Sequence, residues 1–377
     1  MAVTSILLGA GFSKSDGYRD VRELNECFLR LKNDDFSIHT DGTLELNNQN
    51  LSSHNKYKPL FLKALKYYSL FRQFDYEAFY DFLKSSGRGI NLIFKLYISI
   101  LQRIYKIQFG YFDTISQLVK ILNQLTFEFL MQPLNIKSQK PFLQKPIYTG
   151  YTGFLNTLEV LAQESIINVH TLNHDLVFEK LSNSDWINNN LSDGFTDYNS
   201  PFYGIDNANN HVPLEYFNNN YSKSIRLYKL HGSFDYYPYH LKSGQIDKYV
   251  KIKFGINNSS LFKQITNPAI EEVNDFGNFH SDFLSGTTDK IKRYKEPFFS
   301  LILDNFANNL RSSDRLIIIG YGCGDSGINK IIKENFISRH ITIINPKPGP
   351  KVLKFSNEFR CRLVKKYIND ISISDLY

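Results

Sequence analysis

The segment Ser5-Ile6-Leu7-Leu8-Gly9-Ala10-Gly11-Phe12-Ser13, a short apolar run broken by two glycines and closed by a serine, sets the first constraint on the fold. It has the pattern of a first β-strand that turns tightly into a helix. Glycine at 9 and 11 allows positive φ and lets the backbone come close to a phosphate, while the amides that open the helix donate to it. The same residues also suit a turn that is merely tightly packed, so the segment takes its meaning from the later strand ends.

Four later runs, 166–171, 225–230, 315–319 and 341–344, are short and β-branched, and each ends in a polar or glycine-rich turn. Helical patterns separate them. Short apolar strands alternating with helices predict an α/β fold with a doubly wound, Rossmann-like parallel sheet. Val21, Leu24, Phe28 and Leu31 recur at helical spacing and predict a three-turn helix packed on that sheet. Residues 33–58 read as polar loop. Between 59 and 132 the periodicity is helical throughout, with Ile115, Leu118, Val119, Leu122, Leu125 and Phe129 on one stripe, which predicts three or four helices. The aromatic stripe from 71 to 82 reads as core packing. The expected organisation is therefore a Rossmann-like domain from 1–32 and 151–377, interrupted by a mainly helical subdomain at 33–150. Residues 133–150 form a proline-containing connector, and 182–224, rich in Asn, Asp, Ser and Tyr, read as a long surface loop or lid.

Composition removes several classes. At 377 residues and 15% aromatics the chain buries a large core and is not disordered. Its net charge of +7 is scattered, with no basic block, so weak attraction to anions is expected and sequence-specific nucleic-acid reading is not. Cys27, Cys323 and Cys361 are far apart and in no C-x-x-C pair, which argues against a disulfide framework and a cysteine zinc site and fits a reducing cytoplasm. The N-terminus does not read as a signal peptide. The stretch 90–107 is interrupted by Lys95, Arg103 and Lys106 and makes a poor membrane span.

In doubly wound sheets the ligand sits beyond the carboxyl ends of the strands. Four segments belong there: Gly9-Ala10-Gly11-Phe12-Ser13, Thr171-Leu172-Asn173-His174-Asp175, Lys229-Leu230-His231-Gly232-Ser233 and Gly320-Tyr321-Gly322-Cys323-Gly324-Asp325. Asn173 and Asp175 place an amide and a carboxylate two residues apart at a strand end, suited to a carboxamide, or to a ribose and a water. Asp175 equally suits the cap of a helix starting at Leu176. His231 ends a strand and is the natural general base, or else a structural histidine. Gly320 and Gly322 allow close backbone approach. Asn345, just past the last strand, suits an adenosine ribose contact or a turn before Pro346.

Taken in order, Gly-Ala-Gly-x-Ser after the first strand, Thr-x-Asn-x-Asp, His-Gly and a final glycine turn resemble the sirtuin-like family of NAD-consuming enzymes. Gly17, Asp20 and Arg22 match the family's Gly-Ile-Pro-Asp-Phe-Arg segment, while Val21 and Leu172 depart from its Phe and Gln. The four-cysteine zinc ribbon that deacylating members carry after His-Gly has no counterpart here. The segments 284–290 and 319–325, with Ile328 and Asn329, look like the zinc-less bacterial branch, whose members hydrolyse NAD in antiphage defence, some beside HerA-type ATPases or short Argonautes. The resemblance thus implies an NAD glycohydrolase that needs NAD as substrate and no zinc, and that depletes NAD in abortive infection. It assigns Asn173 to the ribose and attacking water, Asp175 to the carboxamide and His231 to the base. Gly9, Ala10, Gly11, Phe12 and Ser13 would cradle the pyrophosphate opposite Gly320 and Gly322, with Asp20, Arg22 and Asn345 as further contacts. A non-catalytic nucleotide sensor and a protein deacylase are the alternative classes. The apolar excess of the helical region adds an expected homo-oligomer, or docking of a defence partner such as the HerA-type ATPase.

Overall fold

A computed structural model describes residues 2–38, 44–46, 56–87, 91–131, 150–181, 187, 190–206, 208–240, 246–252, 256–266, 269–273, 281–284, 288–336 and 340–376. The chain divides into two compact units, one of Met1–Asp16, Phe142–Phe283 and Glu296–Tyr377, the other of Gly17–Pro141 and Leu284–Lys295.

The first unit is built on a parallel sheet of seven strands: β1 (Ala2–Leu8), β2 (Ser165–Thr171), β3 (Leu191–Ser192), β4 (Ile225–Lys229), β5 (Arg315–Ile319), β6 (His340–Ile344) and β7 (Arg362–Val364). Their order is β7-β6-β5-β1-β2-β4-β3. The expected α/β class with a doubly wound sheet is what the chain adopts. Every pair in this sheet is parallel. Leu8 lies level with Thr171 on one side and Ile319 on the other, so three strand ends meet at one edge. Residues Thr4 to Leu8 and Leu316 to Ile319 are buried without a break, because helices cover both faces of a parallel sheet and leave no solvent side to alternate with. Helix Pro297–Ser312 shows how a cover is written: proline opens it, and Phe299, Ile302, Leu303, Phe306 and Leu310 make one buried stripe. The chain leaves β1 for β2 on one side and later returns to β5 on the other. The switch in winding direction therefore falls between β1 and β5, and it opens a crevice at their carboxyl ends.

The segment 182–224 is not the expected long loop. It contributes β3 and the short strands Phe195–Thr196, Phe202–Asp206, His211–Pro213 and Glu215–Phe217, which enter two antiparallel four-stranded sheets with the chain from 236 to 273. Asn199, Asn209 and Asn219 have φ of 52°, 62° and 60°, so the asparagines turn the chain between strands too short to show a period.

The second unit holds four helices where periodicity predicts three or four, Tyr57–Phe71, Tyr76–Gly87, Leu92–Ile104 and Tyr111–Met131. Within the expected loop at 33–58, strands Phe36–Ile38 and Leu44–Leu46 pair antiparallel. Helix Val21–Arg30 forms where its spacing predicts, but the core that Leu24 and Phe28 enter is this helical one, with Phe28 against Phe74 and Phe129. The units accordingly part at Gly17 and not after residue 32, because the helix goes with the core that its apolar face enters. Phe74, Tyr76, Phe79, Tyr80 and Phe82 are core as expected, and Phe71 is exposed. Except for Gly150, the 133–150 connector lies outside the described residues. Among the described residues no helix is long and apolar enough to cross a membrane.

Candidate active site

The glycine turns after β1 and β5 are packed back to back. The Gly9 amide donates to the Ile319 carbonyl and the Gly11 amide to the Gly320 carbonyl, both at 3.0 Å, while Phe12 N–H donates to the Gly9 carbonyl at 2.8 Å. A Cβ on Gly11 would lie 2.8 Å from Gly320 Cα, one on Gly9 2.6 Å from Tyr321 Cα, and Gly320 itself has φ +64°. Backbone-to-backbone approach therefore demands these three glycines with no ligand present. Gly322 differs. It is exposed, and a Cβ there would meet nothing within 4 Å. Phe12 is a core residue against Tyr151, Phe154 and Phe178, and its carbonyl accepts from the Tyr151 hydroxyl at 2.8 Å. Ala10 is half-buried beside it.

Asn173, two residues past β2, is buried and held by its own amide group. Its Nδ2 donates to the Gly9 carbonyl at 3.0 Å and to Ser13 Oγ at 2.8 Å, and its backbone N–H donates to Thr171 Oγ1 at 3.1 Å. Both donors are used, so Oδ1 is the atom left to accept; it takes no hydrogen bond from the described residues. Asp175 does act as a cap, accepting at Oδ1 from Val177 N–H at 3.0 Å, where helix Val177–Leu181 begins.

His231 follows β4 and is 4% exposed. Its Nε2 lies 3.5 Å from Asp325 Oδ2. Asp325 also caps helix Ser326–Asn335, with Oδ1 accepting from Gly327 and Ile328 N–H at 2.9 and 3.1 Å. One carboxylate thus fixes a helix start with one oxygen and faces the histidine with the other. The loop that carries it is locked in turn: Asp325 N–H donates to the Tyr321 hydroxyl at 3.1 Å, that hydroxyl donates to Asn329 Oδ1 at 2.9 Å, and Asn329 Nδ2 donates to the Cys323 carbonyl at 3.0 Å. Burial, then nearby Cys361, pushes the Cys323 thiol up to about 12, and burial does the same to Cys361. Neither is a thiolate at neutral pH.

Beneath these loops lies a cation that sequence reasoning passes over. Lys229 is fully buried and its ammonium bonds the Asp175 carbonyl and, at 2.9 Å, Glu179 Oε1. It ties the end of β4, which carries His231, to the segment after Asn173. Burial raises the Glu179 carboxyl above its ordinary range, with Lys229 opposing. Nearby, burial disfavours the charge on Lys251, but Asp193, Asp235 and Glu215 outweigh it and raise its pKa.

The remaining expected contacts are Asn345, Asp20 and Arg22. Asn345 closes an Asx turn, its Oδ1 accepting from Lys347 N–H at 3.0 Å. Asp20 and Arg22 belong to the second unit, where Asp20 and Glu23 form a capping box on helix Val21–Arg30 and Arg22 is exposed. Asp325 lies in the last glycine motif without a role that spacing assigns, and its helix-capping position is the one sign in the sequence that it is fixed. Among the described residues no cluster of three or more His, Cys, Asp or Glu is placed to hold a metal.

No protein-family model matches the sequence, and no curated protein matches it. Among solved structures the chain is similar to a Sir2 homologue in complex with NAD, at 11% identity and TM-score 0.41 over 99% of this chain and 88% of that one. It is similar also to the ADP-ribose complex of a Sir2 homologue, at 11% identity and TM-score 0.40 over 99% and 90%. A sirtuin structure concerned with substrate affinity aligns at 12% identity and TM-score 0.38 over 98% and 90%.

Proposed function

We propose that the carboxyl edge of the parallel sheet binds NAD and hydrolyses its nicotinamide–ribose bond. The observation that carries this reading is the pairing of two different preparations on adjacent strands: an asparagine oxygen left as an oriented acceptor, and a histidine held by a carboxylate. Cleaving an N-glycosidic bond of this kind requires stabilisation of an oxocarbenium-like ribose and an aligned water, which is work of positioning and charge. Asn173 Oδ1 accepts from the ribose hydroxyl or the attacking water. His231 takes the proton as that water bonds to the anomeric carbon, the C–N bond breaks, and nicotinamide leaves with the bonding pair, so NAD and water give ADP-ribose, nicotinamide and a proton. Asp325 keeps the imidazole in place through the step. Asp175, with Oδ1 spent on its helix, turns Oδ2 to the carboxamide. Exposed Gly322 leaves room for the pyrophosphate beside the first turn. In a cell such an activity depletes NAD, which fits the abortive-infection role that the motif resemblance implies, with a HerA-type ATPase as a partner.

The test is chromatographic measurement of nicotinamide and ADP-ribose released by purified protein. Asn173→Ala and His231→Ala should each lower the rate by at least about a hundredfold with the fold retained by circular dichroism. Tight NAD binding with no cleavage would instead make the protein a sensor, and release of acyl groups from an acyl-lysine peptide would make it a deacylase.

A further inference from the structure

Helix Leu92–Ile104 is apolar on two opposite faces. Phe94, Ile98 and Leu101 point into the core of the helical unit. Leu92, Ile93, Leu96, Ile100 and Ile104 point the other way and are between 57% and 71% exposed. At 100° per residue these five and Arg103 fill a single arc of about 120°. A helix face lined with large apolar residues is normally covered, and of the two such faces on this helix only one is.

The exposed face continues onto its neighbours. On one side Tyr97 stacks on Tyr67 at 4.9 Å, and Tyr67 leads to Phe71, 72% exposed. On the other, Lys95 reaches over the Tyr111 ring, next to exposed Phe112, and Gln102 Nε2 bonds the carbonyl of exposed Phe109. Together these side chains offer on the order of 1,000 Å² of apolar surface, above the roughly 800 Å² that each partner buries in a standard interface and beyond the largest patch of a typical monomer.

We infer that this face is the interface of a two-fold dimer in which helix Leu92–Ile104 packs antiparallel on its copy. An isologous contact must be self-complementary, and here the residue order provides that. With the axis at Ile98, Leu96 meets Ile100 of the second copy and Leu92 meets its Ile104, so four of the five exposed apolar side chains face another apolar one. Arg103, the one charge on the arc, falls opposite Ile93. The two arginines then stand about 15 Å apart along the axis at 1.5 Å per residue, which removes the clash that a parallel pairing would create. No acidic residue marks the arc for a differently charged partner.

The experiment is light scattering on the full chain during size exclusion at micromolar concentration, with analytical ultracentrifugation. Twice the chain mass is expected. The double variant Leu96→Lys, Ile100→Lys should run as a monomer with unchanged circular dichroism and melting temperature, since both side chains are exposed and touch no core. Leu353→Lys, an exposed leucine on helix Pro350–Phe359 of the other unit, should remain a dimer. A wild-type monomer, with or without affinity for vesicles or another protein, would overturn the inference, as would a dimer that survives the double variant. Neither result depends on NAD hydrolysis.

Discussion

Asp325 serves a helix with one oxygen and His231 with the other, and two substitutions separate the roles. Asp325→Ala removes both. Asp325→Asn keeps an amide oxygen for Gly327 and Ile328 N–H but takes away the negative charge 3.5 Å from His231 Nε2. Losing an N-cap costs about 1 kcal/mol, so the alanine variant should melt about 2–4 °C below wild type and the asparagine variant close to it. In the proposed reaction the charge acts on turnover. At 3.5 Å and an effective dielectric of about 20, a carboxylate and an imidazolium attract by about 5 kcal/mol. If a third to a half of that is realised as His231 takes up its proton, both variants should lose roughly tenfold to a hundredfold in kcat. The assay is nicotinamide release under saturating NAD, read beside thermal melts. Equal kcat losses with unequal melting temperatures are expected. An asparagine variant with wild-type turnover would refute the role given to Asp325, and a loss seen in alanine alone would reduce it to the cap.

Three other outcomes can be tested directly. His170, stacked on Tyr228 and tilted against Phe306, is pushed down to about 3 by burial, against about 6.5 in an unfolded chain. Its contribution is present above pH 6.5 and is lost as pH falls toward 3, because the unfolded chain takes the proton first; at pH 4.5 the loss is on the order of 3 kcal/mol, and His170→Phe should melt with a shallower acid dependence. Gly11→Ala should fold poorly, its new methyl colliding with Gly320, whereas Gly322→Ala should melt like wild type and show its effect only in KM for NAD. Elemental analysis should find no stoichiometric zinc, and a chelator should leave the melting temperature unchanged; one zinc per chain would reopen the reading of the three cysteines.

What the sequence makes legible here is whatever repeats within a few residues. The continuous apolar runs of β1 and β5 and the stripe of helix Tyr111–Met131 are local patterns, and they form where their spacing predicts. The strands within 191–217 escape notice because each is two to five residues long and several pair with chain well beyond themselves, such as Phe202–Asp206 with Ile256–Thr266. Helix Val21–Arg30 shows the complementary gap: periodicity gives a helix and its buried face, but not which core that face enters. Lys229 is invisible for a similar reason, since an isolated lysine in a strand gives no hint of the carboxylate and carbonyl waiting for its ammonium.

The glycines illustrate how a motif can be read correctly in form and still be ambiguous in cause. Gly9, Gly11 and Gly320 are required by two crossing backbones, so their presence alone would be the same in a protein that binds nothing. That close crossing nevertheless has a chemical consequence. It brings the Gly9 carbonyl and Ser13 hydroxyl to where both Asn173 amide hydrogens are consumed, which leaves Oδ1 as the atom free to accept. Gly322 and the Oδ1 of Asn173 are the two features that backbone packing does not require. The proposed NAD site therefore rests less on the glycine pair after β1 than on the asparagine oxygen, the open turn at Gly322 and the histidine with its carboxylate.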